Sequence, residues 1–237
     1  MWSAGWIPSS SPVNTAVTAY PRPIGGCFGD NGRCWIPTAA TIPGRWSWPR
    51  HSPVPSRRPL VASTVSRLLI DLNRSIGHPQ LFSAMTRAAP AQTRAQIVEQ
   101  HYRPHRMHVE RLIGQAVARG QRVIHISSHS FTAELDGAVR GADVGLLYHP
   151  GRRGEAELCA RWKETLAALA PDLRVRRNYP YAGKGDGLTS HLRLRFAPCD
   201  YVGIELEVNQ GIVIAACRRW TALRRMLIDT LRTASAA

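Results

Sequence analysis

Apolar residues recur with a regular period only from Leu60 onward. In 154–170, Leu158, Trp162, Leu166 and Leu169 fall three or four positions apart, which predicts a helix with one apolar face. Residues 91–120 also read as helical, with Pro104 as an expected break or kink and Gly120 as the stop. A closing helix is expected over 218–233. Short runs rich in Val, Leu and Ile predict strands instead: "LVAST", "RLLIDLN", "RVIHIS" at 122–127, "LRVRR" and "YVGIELEV". Strands alternating with helices indicate an α/β sheet that is at least partly parallel. No internal repeat is visible.

Residues 1–59 follow neither period. They hold five of the seven Trp and ten of the seventeen Pro, and no Leu, Glu, Lys or Gln, whereas all twenty Leu lie from Leu60 onward. Such a segment can neither build a helical face nor pack a core. The chain therefore divides into 1–59, disordered or out of frame, and 60–237, a regularly patterned domain. Disorder alone is an uneasy explanation, because disordered leaders are poor in Trp.

Composition narrows the class. A chain of 237 residues is long enough for one α/β domain with a sizeable core. Its net charge of +15 admits nucleic acid, an anionic surface or an acidic small molecule as partner. The five Cys are scattered with no CxxC, which fits reduced thiols and a cytoplasmic protein better than a disulfide framework or zinc ribbon. No apolar run reaches the length of a membrane span, so no membrane partner is expected.

Four stretches could carry chemistry. "HISSHSF" sets His125 and His129 at i and i+4 on a strand and its exit, as a metal pair or as a packed, hydrogen-bonded pair. "GIELEVNQ" puts Glu205 and Glu207 on one face of an apolar strand, where a carboxylate must be paired, protonated or metal-linked unless that edge is solvated. "DLNR" at 71–74 offers an arginine suited to a bidentate grip on a carboxylate, or a capped turn. The Gly-rich "RRNYPYAGKGDGLT" at 176–189 matches neither a P-loop nor a dinucleotide fingerprint.

Taken in order and spacing, "SRLLIDLNR", "HISSHSFTAELDGAVRGADVGLLYHP", "NYPYAGKGDGLT" and "GIELEVNQ" resemble the N-formylglutamate amidohydrolase family over 60–237. Asn73–Arg74 is also similar to the substrate-carboxylate pair of aspartoacylase-type zinc deacylases. The resemblance implies a three-layer, zinc-exopeptidase-like (phosphorylase/hydrolase-like) α/β fold, with a mixed sheet flanked by helices. It implies a zinc hydrolase releasing formate, or a related acyl group, from N-formyl-L-glutamate or a similar N-acyl acidic amino acid. By the same resemblance His129 is a zinc ligand, with His125 a weaker second candidate, and Glu207 is the general base. Asn73 and Arg74 bind the substrate carboxylate, and Arg140, Asn178, Tyr181 and Thr189 line the pocket. The chemistry is coherent, since zinc polarises an acyl carbonyl while a nearby Glu takes a proton from water.

The chain departs from the family at its start. The segments reading like "SCEHGGNRIP" and "DSHRGYDPGALELA", which supply the remaining metal ligands, are absent from 1–59. Reading the codons of 1–59 from each third base offers an explanation. Trp has the single codon TGG, so Trp35–Ile36 yields Asp, Trp46–Ser47 (with Ser as AGC) yields Glu, and Trp48–Pro49 yields Ala. Between them, residues 37–45 permit His-Arg-Gly-Tyr-Asp-Pro-Gly-Ala-Leu, and residues 12–21 permit Cys-Glu-His-Gly-Gly-Asn-Arg-Ile-Pro. The expectation is an out-of-frame translation up to about Pro59, with the family's first strand missing and the literal chain a poor enzyme. The competing reading is a catalytically inactive basic remnant, binding nucleic acid. It is disfavoured because Arg is dispersed through the helices rather than gathered in one patch.

Overall fold

Long, β-branched-rich strands in the middle of the chain organise everything else. The protein, described by a computed structural model over residues 33–39, 59–215 and 217–236, runs in this order. Strand β1 is Arg33–Ala39 and β2 is Val61–Ala62. Helices α1 (Ala84–Arg87) and α2 (Ala91–Ile97) lead through a π turn, Val98–Tyr102, into α3 (Arg103–Val117). Strand β3 is Arg122–Phe131, followed by a small hairpin of β4 (Glu134–Leu135) and β5 (Ala138–Val139). Then come β6 (Val144–Leu147), α4 (Arg153–Leu169), β7 (Val175–Arg177), α5 (Leu188–Arg195) and β8 (Tyr201–Asn209). Helices α6 (Gln210–Ala215) and α7 (Cys217–Ala236) close the chain.

The main sheet has the order β2-β1-β3-β8-β6-β7 and is mixed: β6 runs antiparallel to β8, and every other pairing is parallel. Helices cover both faces. On one face, Ile124 and Ile126 of β3 and Ile204 and Leu206 of β8 pack against Trp162 of α4 and Leu227 of α7. Trp162 also donates its indole N–H to Thr230 Oγ1 at 3.0 Å, tying α4 to α7. The opposite face has its apolar cluster where the strands begin, at Val123 and Tyr201, which lie under Val109 and Ile113 of α3 and Leu192 of α5. Toward the strand ends that second face turns polar. Among the described residues no helix is long and apolar enough to cross a membrane.

Several local expectations are corrected. "RLLIDLN" forms turns rather than a strand: Ile70 and Leu72 are buried with Leu81 and Tyr102, and the Asp71 amide donates to the Leu81 carbonyl at 2.8 Å. Apolar burial there is satisfied without a sheet partner. "LVAST" contributes only two strand residues. Leu169 is 65% exposed, because the buried face of α4 runs through Leu158, Trp162 and Leu166 and is past by the last turn. Pro104 does not end its helix. It sits in the first turn of α3, directly after the π turn, where the wider coil accommodates a ring that would clash with the carbonyl four residues back. Gly120 stops the helix with φ +73, the left-handed geometry in which glycine carries no β-carbon penalty.

The expectation that the first strand is missing is also corrected. Arg33–Ala39 pairs in parallel with β3 along its whole length, from Arg33 opposite Arg122 to Ala39 opposite Ser128. The stretch "RCWIPTA" has the aromatic and β-branched content that a strand tolerates. Pro37 precedes the two residues that β2 covers, so among the described residues β1 is a sheet edge at its level, where proline is accepted. The β3 edge is therefore covered. The rest of the reading for 1–59, disorder included, falls on 1–32 and 40–58, outside the described residues.

Candidate active site

Parallel pairing of β3 with β8 puts their polar residues side by side. His125 lies opposite Gly203, Ser127 opposite Glu205 and His129 opposite Glu207. Side chains two apart on a strand share a face, so all of these point to the side covered by α3 and α5. Ser127 and His129 occupy the C-terminal half of β3, with Glu205 and Glu207 beside them on β8, and the carboxyl ends of parallel strands are where open α/β sheets keep their sites. Both glutamates and both histidines thus share one surface, as their spacing suggests.

Their surroundings separate them. Glu205 accepts a hydrogen bond from Thr189 Oγ1 at 2.7 Å and another from the Asn73 amide. Asn73 in turn accepts the Leu188 N–H at 2.8 Å, which fixes the turn at 71–74 against the start of α5. Glu207 is 6% exposed, and its Oε2 has no hydrogen-bond partner among the described residues. Burial, reinforced by the neighbouring Glu205 charge, pushes its carboxyl up to about 8, against the pull of Arg67 and Arg140. Burial raises Glu205 as well, partly opposed by its bonds to Thr189 and Asn73 and by the charge of Arg193.

The histidines also differ. His125 places Nδ1 2.7 Å from the Tyr201 hydroxyl, at the apolar start of β8, and burial lowers it to about 3. His129 has Nε2 2.8 Å from Ser127 Oγ and Nδ1 3.2 Å from an Arg67 Nη2. Burial and then the Arg67 charge hold it at about 3. Arg67 lies in the "SRLLIDLNR" stretch, yet sequence reasoning assigns it no role. Its one local signal is the i,i+4 spacing to Asp71, whose Oδ1 is 3.8 Å away.

The remaining candidates sit around this centre. Arg74 donates to the Asp186 carbonyl at 3.1 Å, and its charge bears on both His129 and Glu205. Arg140 donates to the Tyr181 hydroxyl at 3.0 Å, and its guanidinium carbon lies 5.1 Å from the centre of that ring. Asn178 braces the Gly-rich loop. Its Oδ1 accepts the N–H groups of Tyr148 at 3.0 Å and Gly183 at 3.1 Å, pinning that loop to the end of β6. The glycines of the loop serve close packing. A β-carbon at Gly183 would fall 2.1 Å from the Tyr148 nitrogen, and one at Gly187 would fall 2.9 Å from Glu205 Oε1.

Sequence reasoning misses the ion pair beneath the loop. Arg193 of α5 donates to Glu155 Oε1 at 3.0 Å, to the Gly183 carbonyl at 2.7 Å and to the Gly203 carbonyl at 2.9 Å. Glu155 also accepts the N–H groups of His149 and Gly203. Glu155 does lie three positions before Leu158 on the buried face of α4, but neither its charge nor that of Arg193 suggests burial without knowing the partner.

A catalytic zinc needs about three protein ligands and an open position. Among the described residues no group of three or more His, Cys, Asp or Glu could hold a metal ion. His125 is directed to Tyr201 and His129 faces a guanidinium, so these residues do not fit the zinc by themselves.

The raised Glu207 value has a consequence for stability. Unfolded, this carboxyl titrates near its ordinary value of 4.5; folded, it keeps its proton up to about 8. Its contribution to stability is full below the unfolded value and is lost as pH rises through the folded one. His129 acts oppositely, since its value is depressed from 6.5 to about 3, so its contribution falls as pH drops through that range. Urea unfolding followed upward from about pH 6.5 leaves the histidine's contribution constant and reads the raised carboxyls, Glu207 and Glu205, between which the substitution of Glu207 distinguishes. The unsubstituted chain is expected to lose stability toward pH 8, and Glu207→Gln to flatten that decline. Parallel pH curves for the two proteins would contradict the assignment.

Comparisons with known proteins agree with this geometry at the level of fold and family. The sequence profile of the family described as N-formylglutamate amidohydrolase matches residues 50–213. Among solved structures, the gene product Atu2144 from Agrobacterium tumefaciens is similar at 22% identity and a TM-score of 0.66, over 87% of this chain and 91% of that one. The N-formylglutamate amidohydrolase from Ralstonia eutropha JMP134 is similar at 20% identity and a TM-score of 0.57, over 75% of this chain and 76% of that one. At such identities the two structures establish a shared fold. No curated protein sequence matches the chain.

Proposed function

Because the chain belongs to the N-formylglutamate amidohydrolase family, we propose that its cleft is built to hydrolyse an N-acyl acidic amino acid, with N-formyl-L-glutamate as the first substrate to test. The observation that carries this reading is the pairing of His129 with Glu207 at the strand ends, with one Glu207 oxygen unpartnered among the described residues. Above about pH 8, where it has lost its proton, a buried carboxylate with an idle oxygen is suited to taking a proton from water, and below that it can give one to a leaving nitrogen. Glu207 is the proposed general base. Arg74 is the proposed grip on the substrate carboxylate, with Asn73 and Thr189 fixing Glu205 beside it. Arg140 and Tyr181, joined by their hydrogen bond, form the outer wall, and Asn178 holds the loop that carries Tyr181.

Zinc and the zinc-exopeptidase-like architecture belong to the proposal for the protein with its N-terminal segment read in the family's frame. That frame permits the Cys-Glu-His and His-Arg-Gly-Tyr-Asp series. The literal chain is expected to be a poor enzyme. The nucleic-acid reading gains no support from the arginines turned into the fold, such as Arg106 and Arg193, which donate to backbone carbonyls.

Side-by-side assays of the chain as written and of the frame-restored protein test the proposal, together with resequencing of the DNA for residues 50–65. Expected are formate release from N-formyl-L-glutamate by the restored protein, lost on chelation, and little turnover by the chain as written. Equal turnover and equal tight zinc in both would deprive the shifted frame of functional meaning. No turnover of any N-acyl acidic amino acid by the restored protein would remove the substrate reading.

A further inference from the structure

We infer that in this chain Arg67 takes the place of a metal ion at His129, holding the cleft in a form that an acidic ligand fills and a divalent cation does not. The ligand class rests on the function proposed above; the metal exclusion rests on hydrogen-bond chemistry alone. A guanidinium carries only donors. With an Arg67 Nη2 at 3.2 Å, His129 Nδ1 must therefore be the acceptor. The single ring proton of the neutral imidazole then sits on Nε2, which donates to Ser127 Oγ at 2.8 Å. Both ring nitrogens are engaged, and a metal needs a bare nitrogen lone pair. Approach of a dication to Nδ1 would also bring it against a fixed positive charge.

Arg67 lies between two polar groups of the site. It faces His129 on one side and Asp71 Oδ1, at 3.8 Å, on the other, and Asp71 itself accepts the Asn73 N–H at 2.9 Å. Its side chain is 48% exposed, so a ligand carboxylate can meet the guanidinium edge from solvent. Arg67 and Arg140 both bear on Glu207. Arg67 and Arg74 both bear on His129. A site with this charge distribution attracts anions.

Nuclear magnetic resonance of the full chain as written tests this without substitution. His129 is expected in the Nε2–H tautomer, with ring nitrogen signals that Zn²⁺ does not move. Equilibrium dialysis is expected to find no stoichiometric Zn²⁺. Arg67→Met, which keeps an apolar stem of similar length but removes the fixed positive charge, should gain Zn²⁺ binding that moves the His129 ring signals. Adding His129→Gln should abolish that gain, and an unchanged circular dichroism spectrum checks the fold of both variants. An Nδ1–H tautomer, or His129 signals shifted by stoichiometric Zn²⁺ in the unsubstituted chain, would overturn the inference. Titration with N-formyl-L-glutamate under chelator is the separate arm. Binding there, weakened in Arg67→Met, supports the acidic-ligand assignment. No binding, beside a zinc-silent Nε2–H tautomer, defeats the substrate reading and leaves the metal exclusion standing.

Discussion

Glu207→Gln is expected to lower turnover of N-formyl-L-glutamate by the frame-restored protein by about 10²–10⁴-fold, the range that a positioned general base contributes. Glutamine preserves the volume and one acceptor oxygen of the side chain but cannot take a proton. Substrate affinity is expected to change little, because the proposed carboxylate grip belongs to Arg74. The matched control is Glu205→Gln. Glu205 lies two residues away on the same strand face, yet its oxygen is committed to Thr189 and Asn73. Its substitution should disturb the 71–74 turn and binding more than the chemical step. Steady-state kinetics on both variants decides the matter. A Glu207→Gln protein with full turnover, or a deeper loss in kcat from Glu205→Gln, would exchange or refute the roles.

The second large effect is on stability. Arg193→Met is expected to destabilise the fold by about 3–5 kcal/mol, the cost of removing one partner from a buried ion pair. Arg193 and Glu155 side chains are 5% and 1% exposed, so neither charge can turn to water without moving its element. Removal strands Glu155 and also leaves the carbonyls of Gly183 and Gly203 without this donor. Glu155→Gln added to Arg193→Met should recover part of the loss, because the unpaired charge is then gone. Urea denaturation of the single and double variants measures both. A single-variant cost below about 1 kcal/mol, the range of a surface pair, would show that the buried pair is not structural.

Arg193 also connects stability to the site. One guanidinium spans Gly183 in the loop, Gly203 in β8 and Glu155 in α4. The loop that carries Tyr181 is thus held between two anchors, Asn178 and Arg193. Loss of the second anchor is expected to blur the position of Thr189, which lies in the first turn of α5 and supports Glu205.

Local pattern makes much of this protein legible. The four-residue spacing of Leu158, Trp162 and Leu166 marks the buried face of α4, and the alternation of "YVGIELEV" puts Glu205 and Glu207 on one side of β8. Side-chain direction in a helix or strand is fixed by backbone period, so it can be read from a few neighbours. The short run "VGLL" is not legible in this way. Four apolar residues carry no period of their own, and only the β8 and β7 pairings make them β6. "RLLIDLN" fails the opposite way, looking like a strand while its apolar residues are buried against Leu81 and Tyr102 rather than paired in the sheet.

What the sequence determined by itself is the change of pattern at Leu60, the helix and strand faces beyond it, and the family motifs carrying His129 and Glu207. Tertiary structure alone decided what each polar group meets. Arg67 reaches His129 across 62 positions, and Arg193 reaches Glu155 across 38. His125 leaves the candidate centre for Tyr201 across 76. Such partners are chosen by which strands pair and which helix covers them. A side chain's charge, protonation and ability to bind a ligand depend on those distant neighbours, and no spacing within a single stretch encodes them.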